Sequence, residues 1–152
     1  MTTFKRILFF LIIGISLIQF IPIDRDNKPV KKSENFVDVF QSPPKVRELL
    51  RNACYDCHSN ETVYPYYAFI APFSWSVKNH VNNGREYLNF SQWSTFNSDL
   101  KKGMLVNSVQ ELQEKSMPMP AYISYHPKAN LTNTQRTLLI NYFDSIIKSK
   151  KY

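Results

Sequence analysis

The chain has 152 residues, with 19 Lys and Arg against 12 Asp and Glu and a formal charge of +7. That length suits one modest domain and is short for two. Nine prolines, nine tyrosines and eleven phenylalanines beside three glycines favour fixed turns and an aromatic interior, and no dinucleotide-binding or phosphate-loop fingerprint is present. From Asp24 onward 17 basic residues stand against 12 acidic ones. This balance suits an acidic protein partner or an anionic surface, while no basic helix or aromatic-interleaved patch points to nucleic acid.

Lys5 and Arg6 precede an apolar run over 7–23 that is broken only by Gly14, Ser16, Gln19 and Pro22. Its length is close to that needed to cross a bilayer, and the basic flank orients such a helix with its leading end in the cytoplasm. No small-residue cleavage pattern follows, so residues 1–23 read as an uncleaved transmembrane anchor in preference to a signal peptide that is removed. The expected setting is a single-pass inner-membrane protein with its domain in the periplasm and the membrane as a partner through this helix. Residues 24–41 read as a polar linker whose Phe36, Val37, Val39 and Phe40 touch the domain. Residues 42–149 form the expected domain, and 150–152 a basic tail.

Within the domain the apolar spacing is helical. Ser42-Pro43-Pro44 looks like a helix start, with Ser42 as cap and Val46, Leu49, Leu50 and Ala53 on one face. A second helix is expected over 73–83, stopping at Gly84, with Trp75, Val77, His80 and Val81 facing inward. Ser91 is the expected cap of a third stretch from Gln92-Trp93, with Gly103 as an interruption before 105–115. Met117-Pro118-Met119-Pro120 cannot continue that helix, because two prolines remove two donors and favour extended backbone. Thr132 and Gln135 form a capping-box pattern ahead of Leu138, Leu139, Tyr142, Phe143, Ile146 and Ile147. No alternating strand competes. The expected fold is mostly α, with proline-rich irregular loops, preceded by the transmembrane helix.

The chemistry concentrates in Cys54-Tyr55-Asp56-Cys57-His58. Two thiols separated by two residues match the two vinyl groups of a haem, and the histidine that follows is placed to ligate the iron. Both cysteines of the chain are used by this pattern. A dithiol redox centre would want a strand before it, a structural disulfide leaves His58 unexplained, and zinc needs two more ligands from His80, His126 or scattered carboxylates. The expected cofactor is one covalent haem c, held by Cys54 and Cys57, with His58 as proximal ligand. Met117 leads for the sixth position, with Met119, His80 and His126 as lesser candidates. Tyr66, Tyr67, Trp75, Trp93 and Tyr122 are candidates for the pocket wall, and Asn79 and Arg85 for the propionates.

The stretch from Cys54 through Tyr64-Pro65-Tyr66-Tyr67, Ala71-Pro72-Phe73-Ser74-Trp75, His80-Val81, Gly84-Arg85-Glu86 and Leu88-Asn89-Phe90-Ser91-Gln92-Trp93 is similar to the small haem-binding domain family found mainly in Bacteroidetes. The likeness resumes at Met117-Pro118-Met119-Pro120-Ala121-Tyr122, His126-Pro127-Lys128-Ala129 and Leu131-Thr132. It implies a cytochrome c-like domain with haem on Cys54 and Cys57, His58 as proximal ligand and the family's Met-Pro position at Met117. Met119 departs from the apolar residue often found there, and His80 and His126 also fall in recurring motifs, so a bis-histidine iron stays open. The expected role is single-electron transfer with an unidentified redox protein, not enzymatic catalysis. A haem-based small-ligand sensor is the alternative, and a peroxidase-like enzyme a more distant one.

Overall fold

Proline is tolerated in the first turn of a helix because the N–H it lacks has no partner there. Helix α3 (Pro44–Ala53) begins in this way and buries Val46, Leu49, Leu50 and Ala53, the face set by its apolar spacing. The computed structural model describes residues 2–152, and among them there are helices and loops and no strand. Ahead of α3 lie α1 (Thr3–Ile18) and the single turn α2 (Phe36–Val39). After it come the turn α4 (Tyr55–His58), α5 (Phe73–Tyr87), α6 (Ser98–Gln113), the short α7 (Pro120–Tyr125) and the terminal α8 (Asn133–Ser149). The expected mostly helical domain with proline-pinned loops is therefore present.

The membrane-spanning element is not. No helix among the described residues is long and apolar enough to cross a membrane. Helix α1 covers 16 residues, about 24 Å at the usual rise, against a hydrocarbon core of about 30 Å. It stops because the chain turns at Gln19. There the side-chain amide accepts from Ala71 N–H at 2.9 Å and donates to Ala71 C=O at 3.1 Å, which ties the segment to the loop before α5. The expected transmembrane anchor is overturned, and with it the inner-membrane, periplasm-facing placement and the membrane as partner. Met1, the first residue of the expected 1–23 segment, lies outside the described residues.

The stretch expected as a linker, 24–41, is part of the packing. Phe36 and Val37 are fully buried. The Phe36 ring lies 4.8 Å from Phe40, 5.1 Å from Phe90, 5.0 Å from Trp93 and 5.9 Å from Phe143, centroid to centroid. Further upstream, Arg25 Nε donates to Ala68 C=O at 2.8 Å and Asn27 Nδ2 to Thr62 C=O at 2.9 Å. The chain from Gln19 onward thus runs along the loop that follows His58.

Other differences have local causes. Ser42 does not cap α3; its hydroxyl pairs with Tyr142 Oη at 2.7 Å, joining α8 to the start of α3. Helix α5 runs through Gly84 to Tyr87. Ser91 lies inside a 3-10 stretch, Phe90–Thr95, that is capped by the Asn89 side chain. Asn97 caps α6, which passes Gly103 without a break. The capping box at Thr132 and Gln135 forms as expected, and α8 buries Leu139, Phe143 and Ile146 against α6 and α3, while Leu138 stays outside at 39% exposure. Because Phe36 joins α2, α8 and the Phe90–Thr95 segment, Phe36→Ala is expected to destabilise the fold by about 3 to 5 kcal/mol. Urea unfolding measures this, and a loss below about 1 kcal/mol would contradict the central place given to that ring.

Candidate functional site

The site begins with a backbone contact. A Cβ built on Gly84 would stand 2.6 Å from the Cys57 carbonyl oxygen and 3.1 Å from Cys57 Cβ. No side chain fits, so glycine lets α5 lie directly on α4. At this distance His58 Nδ1 reaches Gly84 C=O at 2.8 Å and Leu88 C=O at 3.2 Å. Both partners can only accept, so the neutral ring carries its proton on Nδ1 and leaves Nε2 with a free lone pair. Burial pushes the His58 pKa below its ordinary value against the opposing pull of the two carbonyls, which keeps the imidazole in this ligating form at neutral pH.

Cys54 joins α3 to α4, and Cys57 lies within α4. Both thiols are free. Burial pushes Cys54 up to about 12, with Cys57 adding to the shift. It pushes Cys57 up to about 11, with Asp56 adding to it. A reactive dithiol centre needs the opposite environment, in which a thiolate is stabilised. Among the described residues no three His, Cys, Asp or Glu side chains gather in a way that would hold a metal ion, so no zinc cluster forms around the pair.

Two cavities open on this segment. One, of about 490 Å³, is lined by Cys54, His58 and Met117, with Leu88, Phe90, Met104, Leu112 and Phe143 among its apolar walls. The other, of about 460 Å³, is lined by Cys57 with Met119, His80, His126, Tyr66, Tyr67 and Tyr122. The same two stretches of chain, 54–58 and 117–122, contribute to both. The sequence candidates are thereby divided: Met117 shares a cavity with His58, whereas Met119, His80 and His126 share the other with Cys57.

His126 is already engaged. Its Nε2 lies 2.8 Å from Tyr67 Oη, and its ring stacks on Tyr122 at 4.2 Å and 12°. Tyr122 Oη donates to Asp56 Oδ2 at 2.6 Å, so one of the two residues between the cysteines is fixed by the far wall. His80 stands exposed on α5, and Tyr66 lies at the rim at 78% exposure. Neither tryptophan lines either of these two cavities. Trp75 is 38% exposed, and Trp93, at 1%, belongs to the core around Phe36. Of the residues expected near the propionates, Asn79 is exposed. Arg85 is committed elsewhere, donating to Ser59 C=O at 2.7 Å, Asn27 Oδ1 at 2.6 Å and Thr62 Oγ1 at 2.9 Å.

The sequence marks Gly84 only as a helix stop and Asp56 only as a spacer within the motif, and neither is expected to shape the site. The signal for Gly84 was present: an isolated glycine in a helical pattern marks close packing as well as a helix end. Gly84→Ala is expected to destabilise the protein by about 1 to 3 kcal/mol through overpacking against the Cys57 backbone. Unchanged urea unfolding would contradict the contact. A second expectation follows from His58. Below pH 6.5 the unfolded chain binds a proton at this residue that the fold resists, so stability without haem falls as the pH drops from about 7.5 toward 5. His58→Gln is expected to lose that slope, and an identical slope in the variant would contradict it.

Comparison with protein families matches the haem-binding domain over residues 13–145. No curated protein and no solved structure matches the chain. The matched span contains α2 through α7, both cavities and the Cys-x-x-Cys-His segment. It identifies a haem-binding module. The chain belongs to the haem-binding domain family.

Proposed function

We propose that the domain carries one covalent haem c and serves single-electron transfer to a redox protein. The observation that carries this reading is the sharing of one cavity by Cys54, His58 and Met117, with Cys57 opening onto the second one. Cys54 and Cys57 would form the thioethers, His58 Nε2 would ligate the iron, and Met117 would supply the sixth ligand. Residues 54–58 and 117–122 contribute to the walls of both cavities, so the two thiols and His58 stand on one short segment that faces the Met117 loop. The haem supplies one-electron cycling of its iron between ferrous and ferric. The chain supplies the rest: carbonyls that fix the proximal imidazole, apolar walls that keep water out, and a methionine on the facing loop.

His126 is the less suitable sixth ligand because Tyr67 occupies its Nε2 and Tyr122 covers its ring. His80 and Met119 lie in the cavity that His58 does not line. Protein produced with a haem-attachment pathway is expected to show a six-coordinate, low-spin spectrum that added carbon monoxide leaves unchanged. Met117→Ala is expected to lose the red methionine-to-iron charge-transfer band and to bind carbon monoxide. Rapid carbon monoxide binding by the wild type would overturn the electron-carrier reading in favour of ligand sensing.

A further inference from the structure

Arg136 is a buried cation that the reading above leaves without a task. It is 7% exposed, and none of the four ion pairs among the described residues includes it. Its hydrogen bonds go to backbone carbonyls: Nη1 donates to Met117 C=O at 2.6 Å and lies 3.4 Å from Leu112 C=O. A guanidinium withdrawn from water without a carboxylate costs stability, and an apolar residue would fill the same volume at less cost. The position of that charge therefore calls for an explanation in what it holds.

What it holds is the loop before α7. Two residues past the end of α6 the chain reverses at the left-handed Lys115, at φ 59°, and is then fixed from two sides. From the α6 side, Glu111 C=O accepts from Ser116 N–H at 3.2 Å and from Met117 N–H at 3.4 Å, and the Glu111 carboxylate pairs with the Ser116 hydroxyl. From the α8 side, Arg136 takes the Met117 carbonyl. The capping box at Thr132 and Gln135 fixes the start of α8 one turn before Arg136, so the guanidinium projects from a rigid base. Both backbone polar groups of Met117 are thus held while its side chain lines the His58 cavity. Pro118 follows directly and has no N–H to help hold the loop.

We propose that Arg136 is the positioning residue for Met117, setting how firmly the thioether is presented to the face opposite His58. The proposal rests on the reading of Met117 as sixth ligand. Both contacts run from one nitrogen, Nη1, which the rigid guanidinium plane holds in place, whereas a lysine ammonium keeps the charge on a flexible stem and fixes the carbonyl less firmly.

The test compares haem-loaded wild type, Arg136→Met, Arg136→Lys, Met117→Ala and the double variant Arg136→Met/Met117→Ala, reading the red charge-transfer band and the reduction potential. Arg136→Met is expected to lose most of the band and to shift the redox equilibrium about tenfold toward the ferric form, about 59 mV for one electron. Arg136→Lys is expected to fall between Arg136→Met and wild type. In the Met117→Ala background, Arg136→Met is expected to add no further shift, because the residue acts through Met117. A full-strength band in Arg136→Met, or an undiminished shift in the double variant, overturns the proposal. If circular dichroism shows that Arg136→Met does not fold, Arg136→Lys decides: a weakened band supports the role and a wild-type band overturns it. Absence of the band from wild type itself would instead defeat the assignment of Met117, a separate failure.

Discussion

The contact between Gly84 on α5 and the Cys57 backbone on α4 is the constraint from which the site's geometry follows. It brings the end of α5 close enough for the carbonyls of Gly84 and of Leu88, just past the helix, to meet His58 Nδ1. A side chain at position 84 would push the helices apart and release the ring. The tautomer, the free Nε2 and the neutral state of the imidazole all depend on that approach. The geometry of His58 is therefore set by backbone packing between two helices, with carbonyls and no carboxylate at its Nδ1.

On the facing side the chain takes a different route to the same end. The Met117 loop has no regular secondary structure, and Pro118 and Pro120 withhold two donors. Its order comes from Glu111 at the end of α6 and Arg136 near the start of α8. These two helices pack on each other, so the loop is referred to the same rigid body that buries Leu105, Leu112, Leu139 and Phe143. Tyr122 extends the arrangement by donating to Asp56, which joins the far wall to the cysteine segment itself. Both cavities are thus bounded by groups whose positions are fixed by the core.

Much of this was legible in the residues. The Cys-x-x-Cys-His spacing, the apolar face of α3 and the capping box of α8 rest on local chemistry, in which a few neighbouring residues decide the outcome. The apolar run over 7–23 misled because hydropathy does not register where a helix ends; Gln19 turns the chain by pairing with Ala71, 52 residues away. Phe36 and Val37 were read as surface contacts because their polar neighbours masked a single buried turn. Trp93 was assigned to the pocket wall on residue type alone, and only packing against Phe36 and Phe40 reveals it as core. Gly84 was read as a stop because a glycine late in a helix fits both roles, and the choice depends on a neighbour 27 residues earlier in the chain. The division of Met117 from Met119 depends on long-range placement and was beyond spacing rules.

The central claim is that this family member holds haem covalently at Cys54 and Cys57. Mass spectrometry of the protein, produced with a haem-attachment pathway and digested after denaturation, tests it most directly. The account predicts that the peptide containing residues 54–58 carries one haem, and that replacing both cysteines with alanine removes it. An unmodified peptide from protein that nevertheless binds haem in solution would contradict the claim and leave a non-covalent haem-binding domain.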